Sequence, residues 1–99
     1  PIGITPIGTN VPTKFDLLQN YPNPFNPVTN IKFDIAKTGL VKLSVYDITG
    51  REVAELINGE IQAGSYNYDF NASNLASGIY FYKLEAGNFN SIKKMILVK

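Results

Sequence analysis

The sequence predicts an all-β fold, an immunoglobulin-like antiparallel β-sandwich of about seven strands. Three observations predict it. Beyond Pro27, apolar and polar residues alternate in short runs with a period of two. Turn residues punctuate these runs roughly every 8–12 residues, as they do in sandwich folds. All six prolines fall at or before Pro27, so a stiff leading part is set apart from the alternating remainder of the chain.

Residues 1–14 (PIGITPIGTNVPTK) mix Pro, Gly and Thr without periodicity and read as an extended linker from a preceding domain. The folded domain is expected over residues 15–99. Its first feature, Tyr21, Pro22, Asn23, Pro24, Phe25, Asn26 and Pro27, is stiff and irregular, because each proline fixes its own φ and restricts the residue before it.

Strands come next. Ile31, Phe33 and Ile35 share one face, with Lys32 and Asp34 on the other. A turn over residues 36–39 leads to Val41, Leu43 and Val45, and a second turn closes at Gly50. Val53, Leu56 and Ile57 have the spacing of a helical turn, but Asn58 and Gly59 end it at once, so an irregular strand is expected. Gly64 precedes the alternating aromatics Tyr66, Tyr68 and Phe70. A polar loop then leads to Gly78 and a strand through Leu84, on which Tyr80, Tyr82 and Leu84 share a face. Tyr80, at the start of this strand, suits a tyrosine corner, in which the phenol bonds back to upstream backbone. It equally suits one more core aromatic. Gly87 sits in a hairpin turn, and the last strand runs from Phe89 to Val98.

Composition narrows the function. The chain has 99 residues, the size of one small domain with little core to spare for a deep cleft. Its 44% hydrophobic content and twelve Tyr and Phe residues argue against disorder. A net charge of +1 supplies no field to draw in nucleic acid. No apolar stretch is long enough for a membrane-spanning helix. No signal peptide opens the chain, so the sequence reads as a fragment whose export signal lies upstream.

Without His or Cys, neither a Ser-His-Asp nor a Cys-His nucleophile can be assembled, and thiolate zinc is excluded. Asp16, Asp34, Asp47, Glu52, Glu55, Glu60, Asp69 and Glu85 fall on turns or outward strand positions, where solvated carboxylates are expected rather than a catalytic pair. Asp47 and Asp69 near Asn71 show no calcium-loop spacing. No enzyme activity, cofactor or metal is expected. The aromatics Tyr66, Tyr68, Phe70, Tyr80, Phe81 and Tyr82 raise a sugar-binding face as an alternative, against which stand the absence of Trp and the usual use of strand aromatics as core.

From about Phe15 to Lys99 the chain resembles the type A C-terminal sorting domain of bacterial type IX secretion cargo. The residues that carry the resemblance are the segment from Tyr21 to Pro27, Val45-Tyr46-Asp47-Ile48-Thr49-Gly50-Arg51-Glu52-Val53, and Ala63-Gly64-Ser65-Tyr66. They continue with Leu75-Ala76-Ser77-Gly78-Ile79-Tyr80-Phe81-Tyr82 and close with Lys93-Lys94-Met95-Ile96-Leu97-Val98-Lys99. Similar sequences also occur in immunoglobulin-like domains related to flagellar hook-capping proteins, which keeps a structural accessory role open.

The resemblance implies a module that comes after a cargo domain in the same chain and is read by an outer-membrane translocon. It further implies a sortase-like peptidase cutting within residues 1–14, and passage through the periplasm to the cell surface or medium. Carried over by position, the candidate recognition residues are Gly78, Tyr80, Gly87, Lys93, Lys94, Met95, Ile96, Leu97, Val98 and Lys99. A monomer is expected. The final strand is expected to offer an open edge for strand addition. Its lysines would contact the partner there, or merely guard the edge against aggregation.

Overall fold

A computed structural model describes residues 4–8 and 10–99. It contains eight strands and no helix among the described residues: β1 (Ile4–Pro6), β2 (Asp16–Leu17), β3 (Val28–Ile35), β4 (Gly39–Asp47), β5 (Glu52–Ile61), β6 (Gly64–Asn71), β7 (Gly78–Ala86) and β8 (Phe89–Leu97). They form two four-stranded antiparallel sheets, ordered β1-β6-β3-β2 and β5-β4-β7-β8. The expected all-β sandwich is present.

Six of the eight, β3 to β8, are the strands expected beyond Pro27, and two short strands near the start bring the count to one above the expected seven. β2 pairs Asp16 with Asp34 and Leu17 with Phe33. β1 lies within the stretch read as linker, yet it pairs with β6, with Ile4 opposite Tyr68 and Pro6 opposite Tyr66. Pro6 is tolerated there because β1 is an edge strand.

Alternation drives the packing. On β3, Ile31, Phe33 and Ile35 are buried while Lys32 is exposed. Val41, Leu43 and Val45 of β4 and Tyr80, Tyr82 and Leu84 of β7 close the same core from the other sheet. Met95 and Leu97 complete it from β8. Burial of side chains this large is worth about 1.5–3 kcal/mol each.

β5 explains the helix-like spacing of Val53, Leu56 and Ile57. Its ladder with β4 slips twice, between Leu43 and Ser44 and between Val45 and Tyr46. Each slip is a β-bulge, where two residues of one strand oppose one of its partner. Leu56 and Val53 are the extra residues, so apolar positions fall in adjacent pairs rather than in alternation. The bulges also twist an edge strand away from flat pairing.

Residue chemistry sets the turns. The β4–β5 turn is held by Asp47, whose Oδ1 accepts the amides of Thr49 at 2.9 Å and Arg51 at 3.1 Å. Gly50 closes it at φ 89°, a left-handed conformation costly for other residues. Gly87, at φ 57°, occupies the first central position of the two-residue β7–β8 turn, where Gly is preferred.

Candidate functional site

The segment from Tyr21 to Pro27 joins the two sheets at one side of the sandwich. It starts on the first sheet. Leu18 donates to the Lys32 carbonyl at 3.0 Å, and Tyr21 and Asn30 exchange both backbone bonds. Gln19 and Asn20, between these contacts, leave the ladder. Past Pro22 the chain crosses to the second sheet and runs parallel to β8, with Phe25 opposite Leu97.

The crossing covers much of the outer edge of the terminal strand. The Ile96 amide donates to Asn23 Oδ1 at 2.9 Å. The Phe25 amide donates to the Ile96 carbonyl and the Val98 amide to the Phe25 carbonyl, both at 2.9 Å. Gln19 Nε2 donates to the Lys94 carbonyl at 2.7 Å. The edge expected to be open is therefore occupied by the chain's own proline-bearing segment from Lys94 to Val98. Among the described residues of β8, the stretch around Asn90 and Ile92 retains outward backbone without a partner of this kind. The physical reason is that Asn23 and Phe25 sit between prolines, so they present unpaired backbone or side-chain groups that no strand of the first sheet takes up.

A buried polar hub fixes this crossing. Asn20 and Thr29 are 2% and 0% exposed. Asn20 Nδ2 donates to Thr29 Oγ1 at 3.0 Å and to the Pro22 carbonyl at 3.2 Å, and Thr29 Oγ1 donates to that carbonyl at 2.8 Å. The Tyr82 hydroxyl reaches it from β7, donating to the Leu18 carbonyl and accepting the Asn20 amide. Burial pushes the Tyr82 phenol up to about 12, against a smaller lowering by the Asn20 amide. Sequence reading misses Gln19, Asn20, Thr29 and Tyr82 as a unit. Nothing in a period-two pattern signals that a core tyrosine will aim its hydroxyl at a distant loop.

The candidate residues separate into groups. Met95 and Leu97 are buried, so their side chains hold β8 in place and are not presented. Lys94 and Val98 are exposed, and Lys93 and Ile96 are half-buried. Lys99 folds back: Nζ donates to the carbonyls of Ser73 and Leu75, both at 2.7 Å, and its amide donates to Ser77 Oγ. Both readings left open for Tyr80 hold: its ring is buried in the core, and its hydroxyl donates to the Ala76 carbonyl at 2.7 Å as in a tyrosine corner. Tyr66 repeats the device, donating to the Gln62 carbonyl at 2.8 Å. Each tyrosine comes two residues after a glycine, and Gly64 and Gly78 have similar φ angles of 159° and 155°. A Cβ at Gly64 would meet the Tyr66 hydroxyl at 3.4 Å and its ring at 3.5 Å.

Most of the carboxylates are engaged locally. Asp69 Oδ1 accepts the side-chain amides of Asn30 and Asn67. The hydrogen bond from the Thr49 hydroxyl, with backbone bonds from Arg51 and Thr49 and the Arg51 charge, lowers Asp47 below the usual carboxylate range. Among the described residues no three acidic side chains gather to hold a metal, and no helix is long and apolar enough to cross a membrane. A hollow of about 710 Å³ opens between the β3–β4 and β7–β8 turns beside Phe15 and Phe89, with Lys37 as its charged group. The aromatics raised as a sugar-binding face mostly point inward: Phe70, Tyr80 and Tyr82 are buried, and Tyr66 and Tyr68 pack on the core.

Searches of curated proteins and of solved structures find no match. The family described as secretion system C-terminal sorting domain matches residues 19–99. The matched stretch begins at Gln19, the first residue of the clamp on β8, and runs through all seven residues from Tyr21 to Pro27. The chain belongs to this family of type IX sorting signals, which direct an upstream cargo to the cell surface or medium.

Proposed function

We propose that the secretion machinery reads the terminal strand as the chain holds it, between β7 and the clamp of residues 19–25. The observation that carries this is the satisfied outer edge from Lys94 to Val98, which fixes the strand end in one position. Lys93, Lys94, Ile96 and Val98 are the side chains offered to an outer-membrane translocon. Gly78, Tyr80 and Gly87 shape the β7–β8 hairpin, and Lys99 ties the end of the chain to the loop before β7. Residues 1–14 connect the cargo and contain the bond cut by a sortase-like peptidase. The domain itself acts as a monomer, without cofactor, and performs no chemistry.

The test is a fusion of residues 1–99 behind a reporter in a type IX-competent host. The reporter is expected in the medium or on the cells. A charge-reversed Lys93→Glu, Lys94→Glu variant is expected to export less while keeping the wild-type circular dichroism spectrum. Periplasmic retention of the unaltered fusion, or full export of the charge-reversed one, overturns the reading.

A further inference from the structure

The outward face of an antiparallel sheet exposed to water ordinarily carries polar residues. The outward face of β4, β7 and β8 is polar at one end, where Lys42 lies opposite Glu85 and Glu85 opposite Asn90, and largely apolar toward the other. Tyr46 lies opposite Phe81, and Ile79 lies opposite Ile96. Ile92, opposite Lys83, is 58% exposed, and Ile48 in the adjoining turn is 70% exposed. Tyr46, Ile48, Phe81, Lys83 and Ile92, with the Asp47–Gly50 turn, line a groove of about 450 Å³. On the same sheet the Ser44 hydroxyl, opposite Lys83, is buried without a hydrogen-bond partner.

Charge defines what fits. The carboxylates bordering the groove are already engaged: Asp47 with Arg51 at 3.1 Å and Glu85 with Lys83 at 3.4 Å. Lys94, opposite Phe81, has no carboxylate partner among the described residues. The face thus joins an apolar groove to an uncompensated cation. Apolar residues clustered on an exposed face mark interaction sites in soluble domains.

We propose that this face docks an extended segment of another protein in which an apolar side chain is flanked by carboxylates. The apolar side chain enters the groove between Tyr46, Phe81 and Ile92, and a carboxylate meets Lys94. This reading concerns the broad face of the sheet and holds whether or not the edge of β8 is read during export.

The test uses the 99-residue chain in solution. A short synthetic peptide with one phenylalanine flanked by aspartates is titrated against it and monitored by amide chemical shifts. Shifts are expected at Tyr46, Phe81, Ile92 and Lys94, with none from a peptide whose aspartates are replaced by lysines. Lys94→Glu is expected to weaken binding by roughly fivefold, within the range for exposed ion pairs. Ile92→Ser, an exposed position that leaves the core intact, is expected to weaken it as well. Equal binding of the two peptides, shifts located elsewhere, or no shifts at millimolar peptide overturns the proposal. Shifts at these residues that grow with protein concentration alone place a second copy on the face and also overturn it.

Discussion

The hydroxyl of Tyr82 accepts the backbone amide of Asn20 at 2.7 Å across the interior of the sandwich. Its own proton goes to the Leu18 carbonyl at the same distance. One phenol thereby satisfies the Leu18 carbonyl and the Asn20 amide where the chain leaves the ladder of the first sheet. The clamp over β8 begins at those residues.

Tyr82→Phe removes this bridge and leaves the buried Asn20 amide and the part-buried Leu18 carbonyl without this partner. A loss of about 2 kcal/mol in unfolding free energy is expected. Urea denaturation checks it as a lower midpoint with an unchanged slope. The wild type also carries a pH signature. Its phenol is raised to about 12 in the folded chain, so the unfolded chain releases the proton first as pH rises. This stabilisation is complete below the ordinary value of 10.0 and is lost as pH rises through about 12. Alkaline denaturation series of wild type and Tyr82→Phe are expected to converge toward the upper end of that window.

Asn23→Ala leaves the Ile96 amide without its side-chain acceptor. The position is exposed, so water replaces the bond and the global cost is small, about 0.5–1 kcal/mol. The local effect is larger. Hydrogen exchange at Ile96 is expected to accelerate well beyond that at Met95, whose amide faces β7. Equal acceleration at both residues would mean that the clamp acts on the whole strand instead.

The two glycine-tyrosine corners are expected to differ. Tyr80→Phe removes a bond to Ala76 from a buried ring and is expected to cost about 1 kcal/mol. Tyr66→Phe removes a solvent-exposed bond to Gln62 and is expected to cost less than half of that. Thermal melts of the two single variants rank them directly.

Asp47 binds its proton less readily in the folded chain than in the unfolded one. The stability it confers is present above the ordinary carboxylate value of 3.8 and is lost as pH falls through its lowered native value. An NMR titration of the Asp47 carboxyl is expected to give a midpoint below that of a short unstructured peptide. Thr49→Val is expected to move it upward, because the Thr49 hydroxyl is the largest cause of the lowering.

Much of this architecture is legible in the residues. The alternation of Ile31, Phe33 and Ile35, and of Tyr80, Tyr82 and Leu84, marks the core strands because side chains on a strand alternate between faces. The position of Tyr80 after Gly78 allows the corner without deciding it, and the glycines of the turns show in their spacing. The hidden features depend on contacts distant in sequence. The bulges of β5 mimic a helical period, and only pairing with β4 shows why. The expected open edge of β8 is covered because Asn23 and Phe25 lie next to Ile96 in space, and a periodicity argument has no access to that proximity. The same holds for β1, whose Pro6 and Gly8 surroundings read as linker but whose backbone finds an edge of β6.

The bond between Asn23 and Ile96 spans 73 positions of the chain. A polypeptide that stops short of Ile96 leaves the opening part of the domain without the strand on which Asn23 and Phe25 close. The clamp therefore closes only once synthesis has passed that point. An apparatus that recognises the assembled form would pass over truncated products without any separate proofreading step.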